Sequence, residues 1–348
     1  MIQAYIFLYI LVTLIALCAA CAPSLQYYIR AAGTRPPIDS STTASVVYQF
    51  SLGANIENIA VQSDGNLLVT RLDEPELYQI NPVSQSASLV HRFPAATGLS
   101  GITEIARDEF VVIAGHFSGS SAAPADFRIW KVDVRKGVHN LKVSRIAGIP
   151  EGHFLNGVAS LGPKENAVLI ADSAFGCVYR LDLKTGKYAR ALEDKTMKPV
   201  PGLPTIGING IKVKDGYVYY TNSFQEIFCR VRIDTSKGTA IGEYEIVATN
   251  IHGDDFALGN DGNAYVAGNA KNVLSKVTLS GHIEVIAGDL GSTTVAGATS
   301  VAVGRTRRDR RTLYVVTSGA IYAPVNGTYV EGGKVVAVDL GVGTTSFM

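Results

Sequence analysis

The feature that most limits what this chain can fold into is a unit that recurs six times along it. Each copy is a short β-rich run, a polar turn, a second run ending in small or polar residues, and a third run ending in an acid. The copies open at Glu57 (ENIAVQSDGNLLVTRLDEPELYQINP), Thr103 (TEIARDEFVVIAGHF), Asn156 (NGVASLGPKENAVLIADSAFGCVYRLDL), Asn209 (NGIKVKDGYVYYTNSFQEIFCRVRID), Asp254 (DDFALGNDGNAYVAGNAKNVLSKVTL) and Thr299 (TSVAVGRTRRDRRTLYVVTSGAIY), at spacings of 46, 53, 53, 45 and 45 residues. Short strands rich in Val, Ile and Tyr, parted by Gly, Asp and Asn turns at this period, predict the four-stranded blades of an all-β, six-bladed β-propeller. A fourth strand follows each unit (SASLVHRF, VSRIAGI, KYARALED, EYEIVATN, HIEVIAG) except the sixth, which ends near Asp339. Residues 45–50 (SVVYQF) carry the missing pattern ahead of the first unit. The N-terminal strand is therefore expected to close the last blade and leave no unpaired edge, giving a propeller over 45–341 and a tail over 342–348.

The chain begins MIQAYIFLYILVTLIALCAACAPS. That apolar run is short for a bilayer span and ends at Ala20-Cys21-Ala22, a small-x-small site. It predicts a signal peptide over 1–22, a leader over 23–44, and a protein secreted or held in the secretory lumen with no membrane association after cleavage. A net charge of +1 supplies no positive field, so nucleic acid is not an expected partner. The basic stretch 305–311 (RTRRDRR) reads as a solvated hairpin loop. Cys177 and Cys229, the two cysteines outside the signal, fall on neighbouring blades and are expected to form a disulfide in an oxidising compartment. Asn326-Gly327-Thr328 is a glycosylation sequon, expected on a surface turn.

In a propeller the first strand of each blade lines the central channel, so Glu57, Thr103, Asn156, Asn209, Asp254 and Thr299 should meet at one mouth. The second strands return to the same end and place Arg71, His116, Asp172, Asn222, Asn269 and Ser318 in a second polar ring. Glu57, Asn156, Asn209 and Asp254 together offer hard oxygen ligands suited to Ca²⁺ or another divalent cation. The competing reading is that such residues only bond local backbone at strand starts. Phe117, Phe154, Phe175, Phe224 and Tyr265 lie beside the mouth in the repeat alignment, and the small-residue-rich loop 116–127 is a lid candidate. No Ser-His-Asp string, phosphate loop, dinucleotide fingerprint or zinc spacing is present.

On these residues the chain resembles, over about residues 50–340, the family that contains senescence marker protein 30, gluconolactonase and luciferin-regenerating enzyme. The resemblance implies a six-bladed propeller with one divalent metal in the channel, held at Glu57, Asn156, Asn209 and Asp254. The chain departs from the hydrolytic members by reading ENIAV in place of a Glu-x-Pro start and Asp254-Asp255 in place of Asp-Gly, which speaks against lactone hydrolysis. It is similar in more detail to a fungal branch of this superfamily, through its leader, the ENIAV start, the DDFAL fifth blade and a Gly-Arg turn before LYVVTSG. That branch occurs in secondary-metabolite pathways and includes hetero-Diels-Alderases, which join a tropolone-derived ortho-quinone methide to a macrocyclic sesquiterpene such as humulene.

The resemblance implies a pericyclic cyclase acting on two small molecules, whose cycloaddition requires no cofactor. Glu57, Arg71, His116, Asp172 and Asn222 are then the candidates for chemistry. Phe117, Phe154, Phe175, Phe224, Tyr265, Asn269 and Ser318 are the candidates for substrate contact. Arg71 also has Asp73 and Glu74 near it as ion-pair partners, and His153 and His252 read as packing or supporting residues. Two other classes fit the same mouth. One is a metal-dependent lactonase using Asp172 as acid or base; the other is a propeller that binds a ligand without transforming it.

Overall fold

The computed structural model describes residues 42–117 and 126–341. The expected signal peptide, nearly all of the leader, the tail and the middle of the loop 116–127 lie outside the described residues. The described chain forms six four-stranded antiparallel sheets. Their inner strands are Ile56–Val61, Gly98–Ala106, Leu155–Ser160, Ile208–Lys214, Phe256–Leu258 and Ala298–Val303, and each begins one blade of a six-bladed β-propeller. In blades 1 to 5 the strands follow in chain order from the channel outward. In blade 6 the outermost strand is Thr43–Gln49, paired antiparallel with Lys334–Asp339 from Thr43↔Asp339 to Gln49↔Lys334. The N-terminal strand therefore closes the ring, as the missing fourth strand of the sixth repeat requires.

Burial follows position within the blade. Second strands are sandwiched between neighbouring sheets and read as unbroken apolar runs: Leu67, Leu68 and Val69 in blade 1, Val111 to Ile113 in blade 2, and Val168 to Ile170 in blade 3 are all fully buried. Outer strands face water on one side, so Ser86–Arg92 and Thr239–Thr249 each contain a single buried residue. The core is accordingly divided among the gaps. An apolar cluster fills each one: Leu99 with Leu68 between blades 1 and 2, Leu155 with Ile113 between 2 and 3, Ile208 with Leu169 between 3 and 4. Phe256 with Phe228, Leu313 with Tyr265, and Ile56 with Val316 complete the circle.

The inner strands approach one another closely where glycine allows it. A Cβ on Gly101 would lie 2.4 Å from the Asn156 carbonyl oxygen, and one on Gly157 would lie 2.5 Å from that of Asn209. The Asn-Gly pairs at the repeat starts are thus a packing requirement of the channel wall.

The expected Cys177–Cys229 disulfide does not form. Both thiols are free and buried. Cys177 lies opposite Asp172 and Ile227 lies opposite Asn222, so the blade-4 equivalent of Cys177 is Ile227, two positions before Cys229. Each also lies on the face of its blade turned toward the preceding blade, so the two thiols fall in different inter-blade cores. Burial pushes Cys177 up to about 11 and Cys229 up to about 12. Both cysteines should react with a thiol reagent only after unfolding, and reductant should leave the melting temperature unchanged. Labelling counted by mass spectrometry in native buffer and in denaturant checks this.

Candidate functional site

The residues at the mouth follow from strand register. Ile56, Leu99, Leu155, Ile208 and Ala298 lie opposite Arg71, Ala114, Asp172, Asn222 and Thr317, and in each of these inner strands the register shifts immediately afterwards. A bulge at that point re-aims the next side chain. Those next residues are Glu57, Ser100, Asn156, Asn209 and Thr299, with Asp254 in blade 5. The mouth residue of blade 2 is therefore Ser100. Thr103, where the repeat alignment placed it, pairs with Val111 further along the strand. The Ser100 hydroxyl donates to Leu155 O at 2.8 Å and the Thr299 hydroxyl to Ile56 O at 2.6 Å, so these two tie adjacent blades together. The other four, Glu57, Asn156, Asn209 and Asp254, line one cavity of about 460 Å³, a size ordinary for small-molecule sites.

The electrostatics of this floor are unusual. Glu57 and Asp254 are buried; burial, with repulsion from Asp254 and Asp255, holds the Glu57 carboxyl well above its usual range. Burial also raises Asp254 to about 7, opposed by a hydrogen bond from Asn269 Nδ2 at 2.9 Å. Asn209 donates its amide to Ser223 Oγ at 3.0 Å, while its buried Oδ1 accepts no hydrogen bond.

Beneath the floor lies a second layer formed by the next residue of each strand: Asn58, Gly101, Gly157, Gly210, Asp255 and Ser300. Asn58 Nδ2 donates to Asp255 at 2.9 Å, Ser300 Oγ donates to Asn58 Oδ1 at 3.2 Å, and Lys212 Nζ meets both Asp255 oxygens at 2.6 and 2.7 Å. Three carboxylates thus face one ammonium. That imbalance and the orphaned Asn209 oxygen fit a hard divalent cation on Glu57, Asn156, Asn209 and Asp254. Among the described residues no three His, Cys, Asp or Glu side chains converge as a ligand set, so the amides of Asn156 and Asn209 would have to complete any such site.

The cavity wall is largely apolar, with Leu72, Phe117, Phe154, Ile206, Phe224 and Ile321 on it, and His116, His153 and Asn269 at its edge. Phe117 and Phe154 meet edge to face at 5.6 Å. His252, also on the lining, packs edge-on against Phe224 at 5.4 Å, and burial lowers it to about 4, so it is neutral near pH 7.

Other sequence candidates sit apart from the cavity lining. Arg71 is held by Asp73 and by Glu76 at 3.1 Å. Asp172 is fully buried and accepts the backbone N–H groups of His153, Phe154 and Phe175 at 2.9 to 3.1 Å, fixing the turn that carries two lining residues. Asn222 donates to Thr196 O and Lys198 O, both at 2.9 Å, and anchors the segment that leads to Pro204 and Ile206 at the mouth. Tyr265 is fully buried with its hydroxyl on Asp261 at 2.9 Å. Phe175 lies under Arg190 at 4.2 Å, and Ser318 donates to Gly297 O at 3.2 Å. Asn326 is exposed on the blade-6 loop. The repeat alignment missed Asn55, Tyr322 and the Lys212–Asp255 pair. A lysine on a channel-lining strand and a second acid where other blades have glycine were the available signals for the last.

This is a six-bladed propeller with a ligand-sized pocket at a channel mouth, oxygen-rich below and hydrocarbon-like above. No protein-family model matches the chain. Two curated relatives are named "Putative hetero-Diels-Alderase". The one from Phoma sp. is 27% identical over 300 residues, covering 78% of this chain and 85% of that protein. The one from Sarocladium schorii is 27% identical over 367 residues, covering 91% and 88%. The fold is that of a calcium-binding protein, regucalcin, from Agrobacterium tumefaciens (TM-score 0.58, 15% identity, 85% of this chain and 95% of that one). It is also that of luciferin-regenerating enzyme (TM-score 0.60, 15% identity, 88% and 97%). The similarity read from the ENIAV and DDFAL segments is thus borne out.

Lys212→Met should destabilise the protein by about 3 kcal/mol or more, because Asp255, whose side chain is only 4% exposed, is left charged without its partner. Adding Asp255→Asn should restore much of the loss, as read by urea unfolding.

Proposed function

We propose that the pocket catalyses a hetero-Diels-Alder cycloaddition between an ortho-quinone methide of tropolone type and a macrocyclic sesquiterpene of humulene type. The observation that carries this reading is the opposition, in one cavity, of the Glu57, Asn156, Asn209 and Asp254 floor to the Phe117, Phe154, Ile206 and Phe224 wall. The names of the two curated relatives support it. In the reaction the O=C–C=C heterodiene adds across one alkene of the hydrocarbon. One C–C and one C–O bond form, three π bonds become one, and no atom or proton leaves. The heterodiene oxygen gains electron density as the bonds form.

Such a reaction needs orientation and exclusion of water more than acid–base groups. Holding two partners in a reactive pose can lower a barrier by up to about 7–11 kcal/mol. The apolar wall orients the hydrocarbon, and the floor fixes the oxygenated ring. A divalent cation, if held by the four floor residues, would supply Lewis acidity there. Asp172, the base a lactonase was expected to use, has its oxygens occupied by backbone amides, which favours the cycloaddition over hydrolysis. The apolar N-terminal run and exposed Asn326 support a secreted, glycosylated protein.

Incubating the protein with a hydroxymethyl tropolone and humulene should give one enantiomer in excess, faster than the uncatalysed reaction; racemic adduct at the background rate removes this reading. Phe154→Ala should lower the rate about tenfold by loosening the hydrocarbon's pose. Calcium should raise the melting temperature of the wild type and have no effect on Asp254→Asn, read by differential scanning fluorimetry after chelation and re-addition.

A further inference from the structure

Blade 6 carries between its second and third strands a loop, residues 318–333, with no counterpart of that form among the described residues of the other repeats. The chain leaves Thr312–Thr317 and turns through Gly319 and Ala320, both left-handed at φ 72° and 62°. A Cβ on Gly319 would lie 2.0 Å from the Glu331 carbonyl oxygen, so only glycine fits there. Ala320, which carries a Cβ in this disfavoured region, is fully buried with Ala296 and Val325. Glu331 N donates to Gly319 O at 3.0 Å and Val325 N to Tyr329 O at 2.9 Å, closing the loop on itself. A disfavoured backbone held in this way fixes the direction of the chain beyond it. The next two residues are Ile321 and Tyr322, both on the pocket lining.

Tyr322 is 51% exposed, but its hydroxyl reaches inward to Asn55 Nδ2 at 2.8 Å. Asn55 is only 2% exposed and is itself held by a bond from its backbone N to Asp73 at 2.9 Å. An amide nitrogen only donates, so the phenol oxygen is the acceptor and its own O–H hydrogen points away from Asn55. A phenol is un-ionised near neutral pH. It is a neutral donor, rigidly placed, with an uncommitted hydrogen.

We infer that Tyr322 donates a hydrogen bond to the ring oxygen of the bound substrate and that Asn55 is a positioning residue which orients that hydroxyl. This rests on the cycloaddition reading, and deepens it by naming the ligand feature recognised: a planar ring bearing a carbonyl oxygen that becomes more negative as reaction proceeds. A donor aimed at such an oxygen stabilises the transition state more than the ground state.

Tropolone itself is the probe. By calorimetry, Tyr322→Phe should bind it about five- to tenfold more weakly than wild type, with an unchanged melting temperature. In turnover, Tyr322→Phe should lose about ten- to a hundredfold in kcat with the KM for the hydrocarbon unmoved. Asn55→Ala should weaken tropolone binding alone but add nothing in the Tyr322→Phe background, because it acts through the hydroxyl; a merely structural role would add. Wild-type tropolone affinity in Tyr322→Phe, or no tropolone binding by the wild type, overturns the assignment. A wild type that binds tropolone through Tyr322 yet gives racemic product at the background rate keeps the assignment and removes the cycloaddition reading.

Discussion

The structure depends on how closely its inner strands can pack around the axis. At Gly101, Gly157 and Gly210 the neighbouring backbone or side chain lies within 2.5 Å of where a Cβ would stand, so this half of the ring is drawn tight by the absence of side chains. On the other half, Asn58, Asp255 and Ser300 occupy the equivalent places and bond to one another instead. Hydroxyls bridge blades just above: Thr70 to Ser100 O at 2.7 Å, Thr221 to Asp254 O at 2.5 Å, and Thr299 to Ile56 O at 2.6 Å. These contacts set the diameter at which Glu57, Asn156, Asn209 and Asp254 confront one another. Without them, residues so far apart in sequence would share no cavity.

The floor concentrates negative charge where water is scarce, and the protein supplies only part of the compensation. Lys212 neutralises Asp255, Asn269 and Asn209 temper Asp254, and Glu57 is left to burial and repulsion. Above the floor, Asp172 and Asn222 occupy equivalent register positions and do equivalent work. Each holds a connecting segment in place over the mouth by bonding backbone groups, one accepting amide hydrogens and the other donating to carbonyls. Buried polar residues with every bond made are the means by which irregular chain is kept rigid beside a pocket.

The blade count and the closing strand were legible because each repeat must satisfy the same packing on both sides, which imprints one pattern of apolar runs and turns six times. The four floor residues were legible for the same reason. Ser100 was not: blade 2 has an inner strand of nine residues, Gly98–Ala106, and the segment most like its neighbours starts three positions past the mouth. The cysteine pair misled because each thiol faces the blade before its own, so similar positions on neighbouring blades enter different cores. Arg71, Asp172 and Asn222 lie at the right end of their strands, but their side chains turn into the connecting loops. Tyr322 escaped notice because alignment of repeats reveals only what recurs, and its loop does not.

The Asn58–Asp255–Ser300 layer with Lys212 below it has a topological consequence. A depression on the opposite face, lined by Ser63, Arg107 and Ser160 and spanned by the Glu104–Arg305 pair at 2.8 Å, is separated from the pocket by this stopper. On the cycloaddition reading, the partner that touches this layer has to enter before the one that stacks over it.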